Sequence, residues 1–169
     1  VAPPEMKTYE MNDRIADMFE AAMNTLVRDL TYARYQAIAY LLPEKSEGLY
    51  DNAELISRSL ASIRKNGLVK RLESSFYAFQ MSLKNFQQAN QNMIDMFERN
   101  KVFIAPDLDI NNLLEAGLSD EEIEEKLNAK AEDNPKNSVF KADDFKPEYM
   151  EMLQKDQATL EKLCKDWEN

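Results

Sequence analysis

Apolar residues recur along most of this chain at intervals of three and four, the period of a helix that packs along one side. The first such run is Ile15, Phe19, Ala22, Leu26, Leu30, Ala33 and Ala37. It predicts a helix capped by Asn12 or Asp13 and stopped by Pro43. After a short polar loop containing Gly48, Asn52 is placed to cap a second helix reaching about Lys65. Asn66-Gly67 then reads either as its C-terminal cap or as a tolerated weak point inside one longer helix. The most regular run follows: Val69, Leu72, Phe76, Phe79, Leu83, Phe86, Asn90, Met93 and Phe97, with steps alternating between three and four. That spacing predicts one coiled-coil-like helix over about 68–98. Asn90 is its single polar member, and it either fixes register or partner choice or sits at a bundle end in contact with water.

The flanks read differently. Pro3 and Pro4 make residues 1–11 an extended lead-in. Beyond Val102-Phe103-Ile104-Ala105-Pro106, residues 106–146 are expected to hold short acidic helices and a loop. Asp109 can cap a first helix that Gly117 closes. Ser119 with Glu122 forms a capping box, and Leu118 with Ile123 a hydrophobic staple, at the start of a second. Residues 131–146, with Pro135, read as polar loop. Pro147 suits the first turn of a last helix, 147–169, whose apolar face is Tyr149, Met150, Leu153, Leu160, Leu163, Cys164 and Trp167. The expected fold is all-α: a bundle of about five helices in one domain or domain fragment, its main bundle over 12–105.

Composition narrows the chemistry. Among 169 residues there is no His, one Cys and three Gly. Without His there is no His general base, no Ser-His-Asp or Cys-His pair, and no His-ligated metal centre. One Cys forms neither an internal disulfide nor a cysteine cluster. No G-x-G-x-x-G or G-x-x-x-x-G-K-[ST] stretch is present, so no phosphate-cradling loop is expected, nor any cofactor or metal held by this chain. Apolar stretches are only a few residues long, too short for a membrane-spanning helix. The nine Met and most aromatic residues fall at core spacing and read as packing.

Charge adds one asymmetry. The chain carries 31 Asp plus Glu against 21 Lys plus Arg, a net charge of −10. Yet Ser57 to Leu72 contains Arg58, Arg64, Lys65, Lys70 and Arg71 and no acid. The acidic counterpart is Glu115 to Asp133; its carboxylates at 120–125 read as a solvated helix start, because neighbours on a helix point in different directions. The basic run reads either as a contact for phosphates or an acidic protein surface, or as a partner for that acidic stretch or a solubility feature.

The run Leu68-Val69-Lys70-Arg71-Leu72-Glu73-Ser74-Ser75-Phe76-Tyr77-Ala78-Phe79 resembles a helical segment of bacterial Swi/Snf-like superfamily-two (DEAD/DEAH-type) helicases, which joins their two RecA-like lobes. Three further stretches resemble that family in the same order. Pro3-Pro4-Glu5 through Tyr9-Glu10-Met11-Asn12 is similar to the lead-in after the first lobe. Leu30-Thr31-Tyr32-Ala33-Arg34-Tyr35 is similar to a motif of the phage-defence-associated subset. Leu160-Glu161-Lys162-Leu163 through Trp167 is similar to the approach to the second lobe.

The resemblance implies a cytoplasmic, non-catalytic segment of an ATP-dependent DNA translocase. Its partners would be the RecA-like lobes of the parent chain, and DNA through that parent, with no membrane involved. ATP and Mg would be bound by the parent, and no catalytic residue carries over. Arg58, Arg64, Lys65, Lys70 and Arg71 would be contacts to lobe or nucleic acid, and Leu72, Phe76, Phe79, Leu83, Phe86, Asn90, Met93 and Phe97 the packing seam. The start at Val1-Ala2-Pro3-Pro4 fits a segment of a longer polypeptide or a mature secreted chain. The second option keeps open a secreted or periplasmic interaction protein that holds a partner helix with its Phe-rich seam. A direct DNA-binding module is the third reading.

Overall fold

Helical periodicity dominates the sequence, and helices dominate the structure. A computed structural model describes residues 13–46, 53–104 and 137–168, together with isolated positions between 113 and 134. The expected lead-in over 1–11, the Gly48 loop, the Asn52 cap, the Asp109 cap and the Leu118–Ser119 helix start lie outside the described residues. Helix α1 spans Asp13–Asn24 and passes into a π-helical turn, Thr25–Asp29. Two 3-10 turns, Ala33–Tyr35 and Ala37–Tyr40, and a one-turn helix α2, Pro43–Ser46, follow. The long helices are α3, Ala53–Ser74, and α4, Phe76–Glu98. Strand β1, Val102–Ile104, pairs antiparallel with β2, Ser138–Phe140, in the register Val102↔Phe140. Helix α5, Pro147–Asp166, closes the bundle, with Pro147 in its first turn as its fixed φ favours.

Three elements depart from the sequence reading. The first expected helix stops well before Pro43. Leu30 N–H bonds Thr25 O, five residues back, and the chain then leaves the helix at Leu30 (ψ 136°). The cause is tertiary: a carboxylate on α5 captures the amides of Thr31 and Ala33. At Asn66-Gly67, where two readings stood open, the second holds: the pair lies inside one longer helix, α3. The single helix expected over 68–98 is broken at Ser75, whose backbone is extended (φ −159°, ψ 112°) and whose hydroxyl accepts from Ala78 N–H at 3.2 Å. Serine competes with the helical backbone and favours such caps. Leu72 and Phe79 still reach the same core from either side of the break. The ribbon of β1 and β2 was not expected; Val102, Phe103 and Ile104 form a β-branched and aromatic run, and Val102, Phe103 and Phe140 bury side chains there.

The interior has two apolar clusters. One gathers α1, α3, the first half of α4 and the end of α5 around Leu26, Leu68, Leu72, Phe79, Phe86 and Leu160. Trp167 closes it, edge-on to Phe76 and Phe79 at 5.1 and 5.3 Å. The other joins the end of α4, the ribbon and the start of α5 around Met93, Phe97, Val102, Phe145, Tyr149 and Leu153, with Ile123 also buried there. Full burial of each such side chain contributes roughly 1.5–3 kcal/mol.

Candidate functional site

Between the two clusters lies a layer of polar side chains that the outer layers seal from water. Asp156, on α5 between Leu153 and Leu160, is 0% exposed. Its Oδ1 accepts Thr31 N–H at 2.9 Å, and its Oδ2 accepts the Thr31 hydroxyl at 2.8 Å and Ala33 N–H at 3.1 Å. Seven residues earlier on α5, the Tyr149 hydroxyl donates to Ala33 O at 2.7 Å. Two side chains of one helix thus hold the Thr31–Ala33 backbone by its amides and a carbonyl.

The residue between those anchors is strained. Tyr32 has φ 57° and ψ 35°, a left-handed conformation that costs an L-residue with a Cβ about 1–2 kcal/mol. Its surroundings over-determine it: the hydroxyl donates to Leu26 O at 2.6 Å, and the ring stacks on Phe86 at 5.7 Å. Burial raises the phenols of Tyr32, Tyr35 and Tyr149 above the ordinary tyrosine range; Asp156 adds to the rise at Tyr32, while Arg64 and Arg34 oppose it at Tyr35. These tyrosines therefore act as neutral hydrogen-bonding and stacking groups.

The same layer continues onto α4. Asn90 is fully buried, and its Nδ2 donates to Leu153 O and Gln157 Oε1, both at 3.0 Å. Asn90 therefore meets polar partners on α5 rather than water. Its Oδ1 has no hydrogen-bond partner. The rest of the seam is internal: Leu72, Phe79, Leu83, Phe86, Met93 and Phe97 are buried, and Phe76 is half-buried against Trp167.

The five basic residues do not form one patch. Arg58, Lys70 and Arg71 are exposed, at three different angles about the α3 axis. Arg64 and Lys65 turn inward instead, Arg64 over the Tyr35 ring at 5.0 Å and Lys65 over the Tyr32 ring at 5.9 Å. Such cation–π contacts contribute roughly 0.5–1 kcal/mol each. Arg34 joins them from below, 5.7 Å from the Tyr35 ring, with its Nε buried and without a hydrogen-bond partner. Among the described residues none of the five pairs with a carboxylate; elsewhere Lys45 pairs with Asp144 at 3.7 Å.

Sequence reasoning passed over Thr31, Arg34, Tyr149 as a hydrogen-bond donor, Asp156 and Gln157. One signal for the last two was available. The apolar positions of α5 jump from Leu153 to Leu160, and the residues at helical spacing inside that gap are Asp156 and Gln157. Polar residues in the middle of an apolar stripe are inward-facing by position.

The arrangement is a mechanical junction: a strained segment held between three helices by a buried carboxylate and stacked cations. Among the described residues no group of three or more Cys, Asp or Glu is placed to hold a metal ion. Cys164 is half-buried, and burial pushes its thiol up, toward the protonated form. Among the described residues no helix is long and apolar enough to cross a membrane. Compared with protein-family profiles, with characterised proteins and with solved structures, the chain finds no significant match in any of the three.

Proposed function

We propose that this chain is a non-catalytic helical segment of an ATP-dependent DNA translocase, joining two RecA-like lobes and coupling their movement. The observation that carries this reading is the convergence of the helicase-like stretches. Leu30 and Tyr32 from the Leu30–Tyr35 stretch, Leu68 and Leu72 from the Leu68–Phe79 run, and Leu160 and Trp167 from the closing stretch pack into a single apolar cluster. Residues scattered over most of the sequence thereby form one structural unit. Arg14, near the start of α1, and Asp166, at the end of α5, line the same groove, which suits a segment whose two ends lead to neighbouring lobes.

In this reading the polar layer is the coupling element. A pull on α5 reaches Thr31–Ala33 through Asp156 and Tyr149, and reaches α4 through Asn90. ATP and Mg belong to the parent's lobes, DNA is engaged through the parent, and the parent works in the cytoplasm. The alternative of a secreted protein that grips a partner with a Phe-rich seam lacks an open seam, since Phe79, Phe86 and Phe97 are buried inside the chain. The test has two stages. The parent gene must encode a phosphate-binding-loop motif upstream of Val1; its absence ends the proposal. Asp156→Ala in the parent is then expected to lower DNA-stimulated ATP hydrolysis while basal hydrolysis holds; equal loss of both, or of neither, refutes coupling.

A further inference from the structure

Arg34, Arg64 and Lys65 converge on one aromatic platform. Arg64 and Lys65 lie over the Tyr35 and Tyr32 rings at 5.0 and 5.9 Å, and Arg34 stands 5.7 Å from the Tyr35 ring. Tyr35 and Tyr32 in turn pack on Phe86, at 5.3 and 5.7 Å. All three cations are half-buried, so water screens them only in part. Among the described residues none of them pairs with a carboxylate. The acid whose charge reaches Tyr32 is Asp156, and Thr31 and Ala33 already donate to both of its oxygens. Three cations set against that one carboxylate keep a surplus of two positive charges. The same two elements also hold two buried polar atoms without a hydrogen-bond partner, Arg34 Nε and Ser57 Oγ. Ser57 is 1% exposed and lies seven residues before Arg64, on the same side of α3 and in the direction that long helical side chains lean. Like charges brought together beside orphaned buried groups cost free energy unless an anion answers them.

We infer that Arg34, Arg64 and Lys65 form a binding site for a small phosphate dianion, either inorganic phosphate or the phosphate group of a phosphomonoester. Near neutral pH such a group carries close to two negative charges, which matches the surplus. Its oxygens accept from the two guanidinium forks and the ammonium, and Arg34 Nε and the Ser57 hydroxyl are further donors. The site is made of side chains and so needs no glycine-rich loop. Burial keeps the phenols of Tyr32 and Tyr35 protonated, so the platform adds no negative charge of its own. Because the cations are only half-buried, the anion reaches them from solvent. Two other occupants fit less well. A nucleic-acid backbone presents single charges along a continuous track, whereas these three cations turn inward and the exposed Arg58, Lys70 and Arg71 stand at other angles. An acidic side chain of a partner protein brings one charge against two. The inference does not depend on the translocase reading, because it rests on this cluster alone.

The test is isothermal titration calorimetry on the 169-residue chain in chloride buffer at constant ionic strength. The probes are inorganic phosphate, glycerol 3-phosphate and a short oligothymidylate. Phosphate or glycerol 3-phosphate is expected to bind saturably, with a Kd below about 10 mM, and the tighter of the two identifies the free ion or the ester as the ligand. Arg34→Met, Arg64→Met and Lys65→Met should each weaken that binding at least about tenfold with the circular dichroism spectrum unchanged. Arg64→Met and Lys65→Met carry the test if the Arg34 variant misfolds. Arg58→Met with Lys70→Met, which removes two exposed cations outside the cluster, should leave the affinity as it was. Saturable binding of neither small probe overturns the inference. So does equal weakening by the Arg58 and Lys70 variant, or oligothymidylate binding that is tighter than phosphate and abolished by the same cluster substitutions.

Discussion

Replacing Asp156 with Ala removes one side chain and strands three donors. Two are backbone amides, Thr31 N–H and Ala33 N–H, and the third is the Thr31 hydroxyl. The hydroxyl can rotate to another acceptor, but the amides cannot move without unwinding the segment around left-handed Tyr32. A buried donor left without a partner costs about 1–3 kcal/mol, so two stranded amides predict a loss of about 2–6 kcal/mol. That is a large share of the 5–15 kcal/mol that typically stabilises a domain. Urea unfolding followed by far-ultraviolet circular dichroism measures it as a shift in midpoint at constant slope. Thr31→Val removes only the hydroxyl arm and should cost about 1 kcal/mol, and the two substitutions together should cost less than their sum, because they share one interaction. A loss below about 1 kcal/mol for Asp156→Ala would refute the claim that this carboxylate holds the segment.

Three further outcomes are expected. Gly67→Ala should stabilise the chain by about 0.5–1 kcal/mol in thermal unfolding, since Gly67 lies inside α3 and an added Cβ meets only the mobile Arg71 guanidinium, at 3.3 Å. Asn90→Leu with Gln157→Leu should be at least as stable in urea as either single variant, because the pair removes donor, acceptor and the unpartnered Asn90 Oδ1 together. Alkaline pH should destabilise: the unfolded chain releases tyrosine protons near pH 10, whereas the folded chain retains those of Tyr32, Tyr35 and Tyr149. Stability is thus full below about pH 10 and falls above it by up to about 1.4 kcal/mol per pH unit for each tyrosine, and Tyr149→Phe should flatten the fall of the urea midpoint by about one proton.

How much of this was legible in the sequence depends on whether local or distant forces shaped each element. The buried seam and the Pro147 start of α5 are local patterns, and both read directly from spacing. The end of α1 is not local: Thr25–Ala37 has helical spacing, yet Asp156 takes its amides from across the fold. Ser75 carried a cap signal that the unbroken period of Leu72, Phe76 and Phe79 masked. The ribbon pairs Val102 with Phe140 across a long excursion, which no window of a few residues records. At the site, a linear count of charges joined five basic residues that a helix separates by angle. Arg64 and Lys65 share the side of Ala61, Leu68 and Leu72 and fold onto tyrosines, Lys70 faces away from it, and Arg58 and Arg71, a turn or two nearer the helix ends, stay exposed. The polar layer was the largest omission, because an apolar-face reading of α5 steps over the positions that define it.

The contacts from Thr31 to Asp156 span 125 positions of sequence. On the ribosome, residues 30–36 emerge long before the helix that secures them. Until α5 is synthesised, Tyr32 has no reason to hold its unfavourable backbone, and the region is free to extend α1 as its own spacing dictates. The native arrangement is then reached by a late exchange in which local helix is surrendered for a distant carboxylate. High contact order of this kind slows folding, since the long loop must close before its reward arrives. A ribosome-stalled chain lacking α5 is accordingly a species with a different N-terminal half, not a shortened copy of the finished one.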